Sequence, residues 1–140
     1  MKNRLIQITI YLQIFLASFS NAQSNLLSAE QQDEMIIVRI DEVTFTCYRY
    51  GDGQKYPYFY PLNGPASGVS VTTESSLPYP HHRSLWFGCD KVNSGNYWQE
   101  GNERGQIISR GPKILESSPE KILIKDTCDW KQPGESPVIT

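Results

Sequence analysis

Apolar and polar positions alternate with a period of two along much of the chain after residue 34, and this pattern predicts β-strands. Met35 to Ile40 is a short apolar run closed by Asp41 and Glu42; Val43 to Tyr50 then sets Val43, Phe45 and Cys47 against Thr44, Thr46 and Tyr48. Alternating β-branched and aromatic residues suit a pleated, half-buried surface and not a helix of period 3.6. Gly51-Asp52-Gly53 reads as a turn. Tyr56 to Leu62 reads as an aromatic strand punctuated by Pro57 and Pro61, which cannot donate to a ladder and so predict an edge or a bulge. After a Gly/Ser/Pro-rich loop, Leu85 to Cys89 and Gln106 to Arg110 predict further strands. Lys121 to Asp129 sets Ile122, Ile124 and Asp126 against Leu123 and Lys125. The expected fold is an all-β antiparallel sandwich over residues 35–140, preceded by a polar, flexible leader at 23–34.

The first 22 residues break this pattern. Lys2 and Arg4 precede a mostly apolar run from Leu5 to Phe19, and Ser20-Asn21-Ala22 supplies the small residues a signal peptidase inspects. The run is interrupted by Gln7 and Gln13 and falls short of the roughly 20 residues that span a bilayer, so a cleaved signal peptide is favoured over an uncleaved helix. The expectation is export to the periplasm or the extracellular space, with a mature chain starting at Gln23 and no membrane attachment after cleavage.

Removing 22 of the 140 residues leaves 118, enough for one modest domain. Lys2 and Arg4 leave with the signal, so 11 basic and 15 acidic side chains remain, a net charge of about −4. Nothing in that balance predicts a nucleic-acid partner. Cys47, Cys89 and Cys128 allow at most one internal disulfide and read as small buried residues. Pro137 to Thr140 starts a return strand and stops, which predicts that the chain is the N-terminal part of a longer protein.

Functional side-chain types are densest from Tyr79 to Phe87, preceded by Tyr58 to Leu62 and followed by Asn93, Tyr97 and Trp98. His81 and His82 are the only histidines, and neighbours on a strand point to opposite faces, so no metal site is assigned. His82, Arg83 and Trp86 make a better polyol-binding group. A sugar offers hydroxyls in its ring plane and a C–H face above it, which aromatic platforms and fork-like donors match. Trp86 and Trp98 can stack, Arg83 can donate and His82 can move a proton near neutral pH. These same tryptophans are core residues by default, with Arg83 paired to a structural carboxylate. Glu100 with Glu103, and Asp126 with Asp129, read as solvated surface and not as a glycosidase pair. No phosphate loop, nucleophile elbow or Cys-x-x-Cys pair is present.

Pro-Tyr-Phe-Tyr-Pro-Leu at 57–62, Gly-Pro at 64–65, Pro-His-His-Arg-x-Leu-Trp-Phe at 80–87 and Val-Asn-x-x-x-x-Trp at 92–98 together resemble a bacterial family labelled methane oxygenase PmoA. The resemblance covers about residues 43 to 140 and implies an antiparallel supersandwich similar to galactose mutarotase. Members of that family are longer and commonly carry Gly where this chain has Ser84 and His-Gly near Cys89-Asp90. A membrane oxygenase subunit needs several apolar helices, which the chain lacks after its first residues. The resulting expectation is an exported, carbohydrate-related protein that binds or modifies a saccharide. His82 and Arg83 are its catalytic candidates, and His81, Trp86, Asn93 and Trp98 its binding candidates. A non-catalytic binding or assembly module and a metal-dependent oxygenase are the alternatives; no cofactor is identified.

Overall fold

The computed structural model describes residues 26–140, so the signal segment expected at 1–22, and with it Gln23, lies outside the described residues. Among the described residues the regular structure is all β and antiparallel, apart from one 3-10 turn at Asn102–Arg104. Strands β1 (Leu27–Gln32), β2 (Met35–Ile40), β3 (Val43–Arg49), β4 (Tyr58–Leu62) and β5 (Leu85–Trp86) form one sheet in chain order. Two ribbons follow: β6 (Gln106–Ser109) with β9 (Cys128–Lys131), and β7 (Lys113–Ser118) with β8 (Lys121–Lys125). No helix among the described residues is long and apolar enough to cross a membrane.

The first three strands are a meander joined by two-residue turns. Asp41 and Glu42 both take positive φ, 49° and 65°, the type I′ geometry whose twist matches the flanking strands. What reads in sequence as an interruption is therefore the hinge of a hairpin. Residues 27–32, expected within a flexible leader, instead form β1: Leu27 to Gln32 pair in continuous register with Ile40 to Met35. Backbone pairing to an already ordered β2 supplies what the polar side chains of β1 do not signal.

β4 is internal rather than an edge. Thr46 pairs with Leu62 and Tyr48 with Phe59, so Tyr60 and Pro61 together oppose Cys47, and the missing N–H of Pro61 falls at that irregularity. β5 is only two residues long. The stretch at 121–129 divides at Asp126 and Thr127, because β8 pairs with β7 while β9 pairs with β6. Strand β7, with alternate residues half-buried, completes the hairpin with β8. The backbone of Trp130 also bridges to the C-terminal segment: its N–H donates to the Ile139 carbonyl at 2.9 Å and its carbonyl accepts from the Val138 N–H at 2.8 Å.

Burial concentrates in two places. Ile36, Val38, Thr46 and Cys47 are enclosed in the meander, and Tyr56, Tyr58, Tyr97 and Ile107 form the main cluster, with Trp86, Cys128 and Trp130 packed against it. Each such apolar side chain contributes roughly 1.5–3 kcal/mol on burial. All three cysteines are free thiols, with Cys47 buried and Cys89 and Cys128 half-buried.

Candidate functional site

Pairing of Tyr58 with Trp86 across β4 and β5 brings the aromatic strand against the His-His-Arg segment. The Trp86 ring lies flat on Tyr56, with centroids 4.3 Å apart and an interplanar angle of 5°. Gly88 makes room for it: a Cβ there would stand 2.4 Å from the Trp86 ring. Trp98 continues the run at 4.6 Å from Trp86, and both imidazoles lie 6.5 Å from Trp98. The imidazoles themselves are 4.5 Å apart, and Tyr79 stacks on His82 at 5.0 Å. A ladder of rings thus crosses the surface from buried Tyr56 to Tyr79, which is 55% exposed.

Two devices hold the loops that carry this ladder. The Tyr56 hydroxyl donates to the His81 carbonyl at 2.5 Å. Lys55, buried beside Tyr56, donates its ammonium protons to the carbonyls of Asn96 and Gly101, each at 2.8 Å, and to that of Gly105. Burial pulls the Lys55 ammonium below its usual range, with the nearby charges of Glu103 and Glu100 opposing this. Asn96 then caps the turn through its Oδ1, which accepts from the N–H groups of Trp98 and Gln99 at 3.0 and 2.9 Å.

Charges beside the ladder come in opposite pairs. Arg83 donates from Nε and Nη2 to Glu100 Oε1, at 3.3 and 3.1 Å, and its guanidinium lies 5.5 Å from the Tyr58 ring centroid. The Tyr58 hydroxyl donates to Glu74 Oε1 at 2.6 Å, and Arg49 donates to the same oxygen at 3.2 Å. Burial, reinforced by the bond to Glu74, raises the Tyr58 phenol above its ordinary range. Glu100, read from sequence as solvated surface, is therefore the partner of Arg83, while Glu103 does lie largely exposed.

Of the six expected site residues, His81, His82, Arg83, Trp86 and Trp98 come together and Asn93 does not. Asn93 sits at φ 43° in the exposed turn between Val92 and Gly95, and its carbonyl accepts from Gln132. The five do not share one cavity. His82 borders an open depression with Thr72 and Ser84, Trp98 borders another with Cys89 and Asp90, and Trp86 borders a third hollow. Among the described residues neither imidazole hydrogen-bonds to another side chain, and no group of three or more His, Cys, Asp or Glu is placed to hold a metal ion. Lys55, Tyr56, Glu74 and Glu100 hold or flank the ladder although none of them is a site candidate from the sequence. Tyr56 carried a signal as part of the aromatic strand, but nothing marks Glu74 within its loop.

The third hollow is a cleft of about 320 Å³ between β4–β5 and the β6–β9 ribbon. Tyr48 and Phe59, with centroids 4.8 Å apart, and Phe87 and Trp130, 5.9 Å apart, contribute two of its aromatic pairs. At one corner Asp126 accepts from the Tyr48 hydroxyl at 2.7 Å and from Ser109 Oγ at 3.0 Å. Its carboxylate, like that of Glu100, is not the freely solvated group expected. Burial and then the Asp126 bond push the Tyr48 phenol up, and burial followed by the Asp126 charge pushes the Cys128 thiol up to about 12.

Comparison with known proteins gives one match. The model of a family of unknown function, DUF6807, matches residues 36–140, and the chain belongs to that family. No curated protein and no solved structure matches. The resemblance to the methane oxygenase PmoA family is thereby corrected: the matching family is one of unknown function, and nothing in the match points to PmoA. The likeness to galactose mutarotase drew on that resemblance and has no matching solved structure behind it, whereas the antiparallel all-β class stands on the strands themselves.

Proposed function

We propose that this DUF6807 member is an exported domain that binds a saccharide without turning it over, on the face formed by Trp86, Trp98, His82 and Tyr79. The observation that carries the reading is the ladder of rings beside a charge-compensated rim. Partly exposed indole and phenol faces accept the C–H side of a pyranose, and the Arg83–Glu100 pair offers donors and acceptors to its hydroxyls without net charge. Binding is favoured over catalysis because what the face presents is stacked rings, with His82 among them at 5.0 Å from Tyr79 and 6.5 Å from Trp98. Export rests on Lys2, Arg4 and the apolar run from Leu5 to Phe19.

Calorimetric titration against a panel of mono- and disaccharides tests the reading. At least one sugar is expected to give a saturable heat, weakened about tenfold or more, equivalent to about 1.4 kcal/mol, by Trp98→Ala or Arg83→Ala. Equal heats for all three proteins, or no heat with any sugar, would remove the binding face.

A further inference from the structure

We infer that the cleft between β4–β5 and the β6–β9 ribbon is a separate site for a small organic cation of the quaternary-ammonium class. Its walls are aromatic and aliphatic, with Tyr48, Phe59, Leu85, Phe87, Ile107 and Trp130 among the residues around the hollow, and none of the described residues that line it is basic. At about 320 Å³ it lies at the small end of ligand pockets. Such a lining disfavours a polyol, whose hydroxyls would lose water without finding partners. It suits a cation whose charge is spread over methyl groups, because aromatic faces attract that charge while the methyls fill apolar space.

The corner at Asp126 supplies the second, independent indication. Glu74 and Glu100 each face an arginine, but Asp126 is held by the neutral hydroxyls of Tyr48 and Ser109. Its neighbours Tyr48 and Cys128, which both line the cleft, stay protonated at neutral pH. Among the described residues no guanidinium or ammonium pairs with this carboxylate, which stands behind the wall through its bond to Tyr48. Phe87 is 75% exposed and Leu85 53%, leaving the mouth open to a ligand from solution.

Choline is the probe, with 3,3-dimethyl-1-butanol as its neutral isostere. Titration of the full chain, followed by tryptophan fluorescence from Trp130 and Trp86, is expected to saturate with choline and to be at least tenfold weaker with the isostere. Phe87→Ala, at an exposed position that the core does not need, and Asp126→Asn, which keeps the shape and an acceptor for Tyr48, are each expected to weaken choline binding at least fivefold. Circular dichroism checks that both variants fold. A parallel arm with phosphatidylcholine vesicles distinguishes a lipid headgroup from a free cation as the source of the same chemistry. The assignment is overturned if choline gives no saturable change up to about 10 mM, if the isostere binds as tightly, or if neither folded variant weakens binding. The saccharide face shares Trp86 with this cleft but uses neither Phe87 nor Asp126, so loss of choline binding in these two variants and loss of sugar binding in Trp98→Ala or Arg83→Ala are distinguishable.

Discussion

The ring ladder and the apolar cleft are built from the same materials, aromatic side chains and carboxylates, and differ in how the carboxylates are neutralised. Beside the ladder, Glu74 and Glu100 each meet a guanidinium, so the face carries dipoles and hydrogen-bonding capacity but little net charge. At the cleft, the described partners of Asp126 are the hydroxyls of Tyr48 and Ser109 and the thiol of Cys128, none of them a cation. Compensated charge among rings favours a neutral ligand rich in hydroxyls, whereas uncompensated charge behind rings favours a cation. Aromatic content alone thus does not tell the two regions apart; the partner of each carboxylate does.

The strongest blow to the ladder alone is expected from Lys55→Met. Three main-chain carbonyls lose the ammonium; that of Gly101 keeps the Arg104 N–H, while those of Asn96 and Gly105 keep no other donor among the described residues. An unsatisfied buried polar group costs about 1–3 kcal/mol, so urea unfolding should register a loss of about 2 kcal/mol or more. A loss below about 1 kcal/mol would mean that the 96–105 loop is held by other contacts.

Alkaline pH reaches both regions. Burial, and after it the charge of Glu100, raises the Tyr56 phenol from 10.0 to about 12, while Cys128 rises from 9.0 to about 12. Both groups bind their protons more tightly folded than unfolded, so their contribution is fully present below the unfolded values and is lost as pH climbs through the folded ones. Unfolding free energy measured from pH 8 to 12 should therefore hold nearly level at first and then fall. Cys128→Ser should flatten the part of that fall that begins near pH 9. A profile unchanged by Cys128→Ser would show that the cleft corner takes no part.

The smallest effect on stability is expected from Glu100→Gln. The Arg83–Glu100 pair is about one-third exposed, which limits its contribution to about 1 kcal/mol or less in thermal unfolding. Its use is to sharpen the contrast between the regions. With Arg83 uncompensated, the ladder face should come to prefer carboxylate-bearing sugars over neutral ones in the calorimetric panel, and an unaltered preference would argue that the rim does not contact ligand.

Much of this architecture is legible in the chain. The alternation from Val43 to Tyr50 announces β3, Pro61 announces an irregularity that proves to be the bulge opposite Cys47, and the density of His, Arg and Trp from 81 to 86 marks the ladder. Strand β1 was not legible, because its polar residues are ordered by backbone pairing rather than by side-chain burial. Nor was the break at Asp126 and Thr127, since apolar alternation runs on toward it and only the choice of partner strand divides β8 from β9. Asn93 misled for the opposite reason: its side-chain chemistry suits a binding site, but a tight turn holds it elsewhere.

By itself, the sequence determined the class: a period of two makes one side of each segment apolar, and that local property needs no knowledge of the neighbours. Tertiary structure alone decided which strands pair, which rings stack and which carboxylate meets a guanidinium. Those outcomes depend on register and loop closure between residues far apart in the chain, such as Tyr48 and Asp126, and no local pattern encodes them.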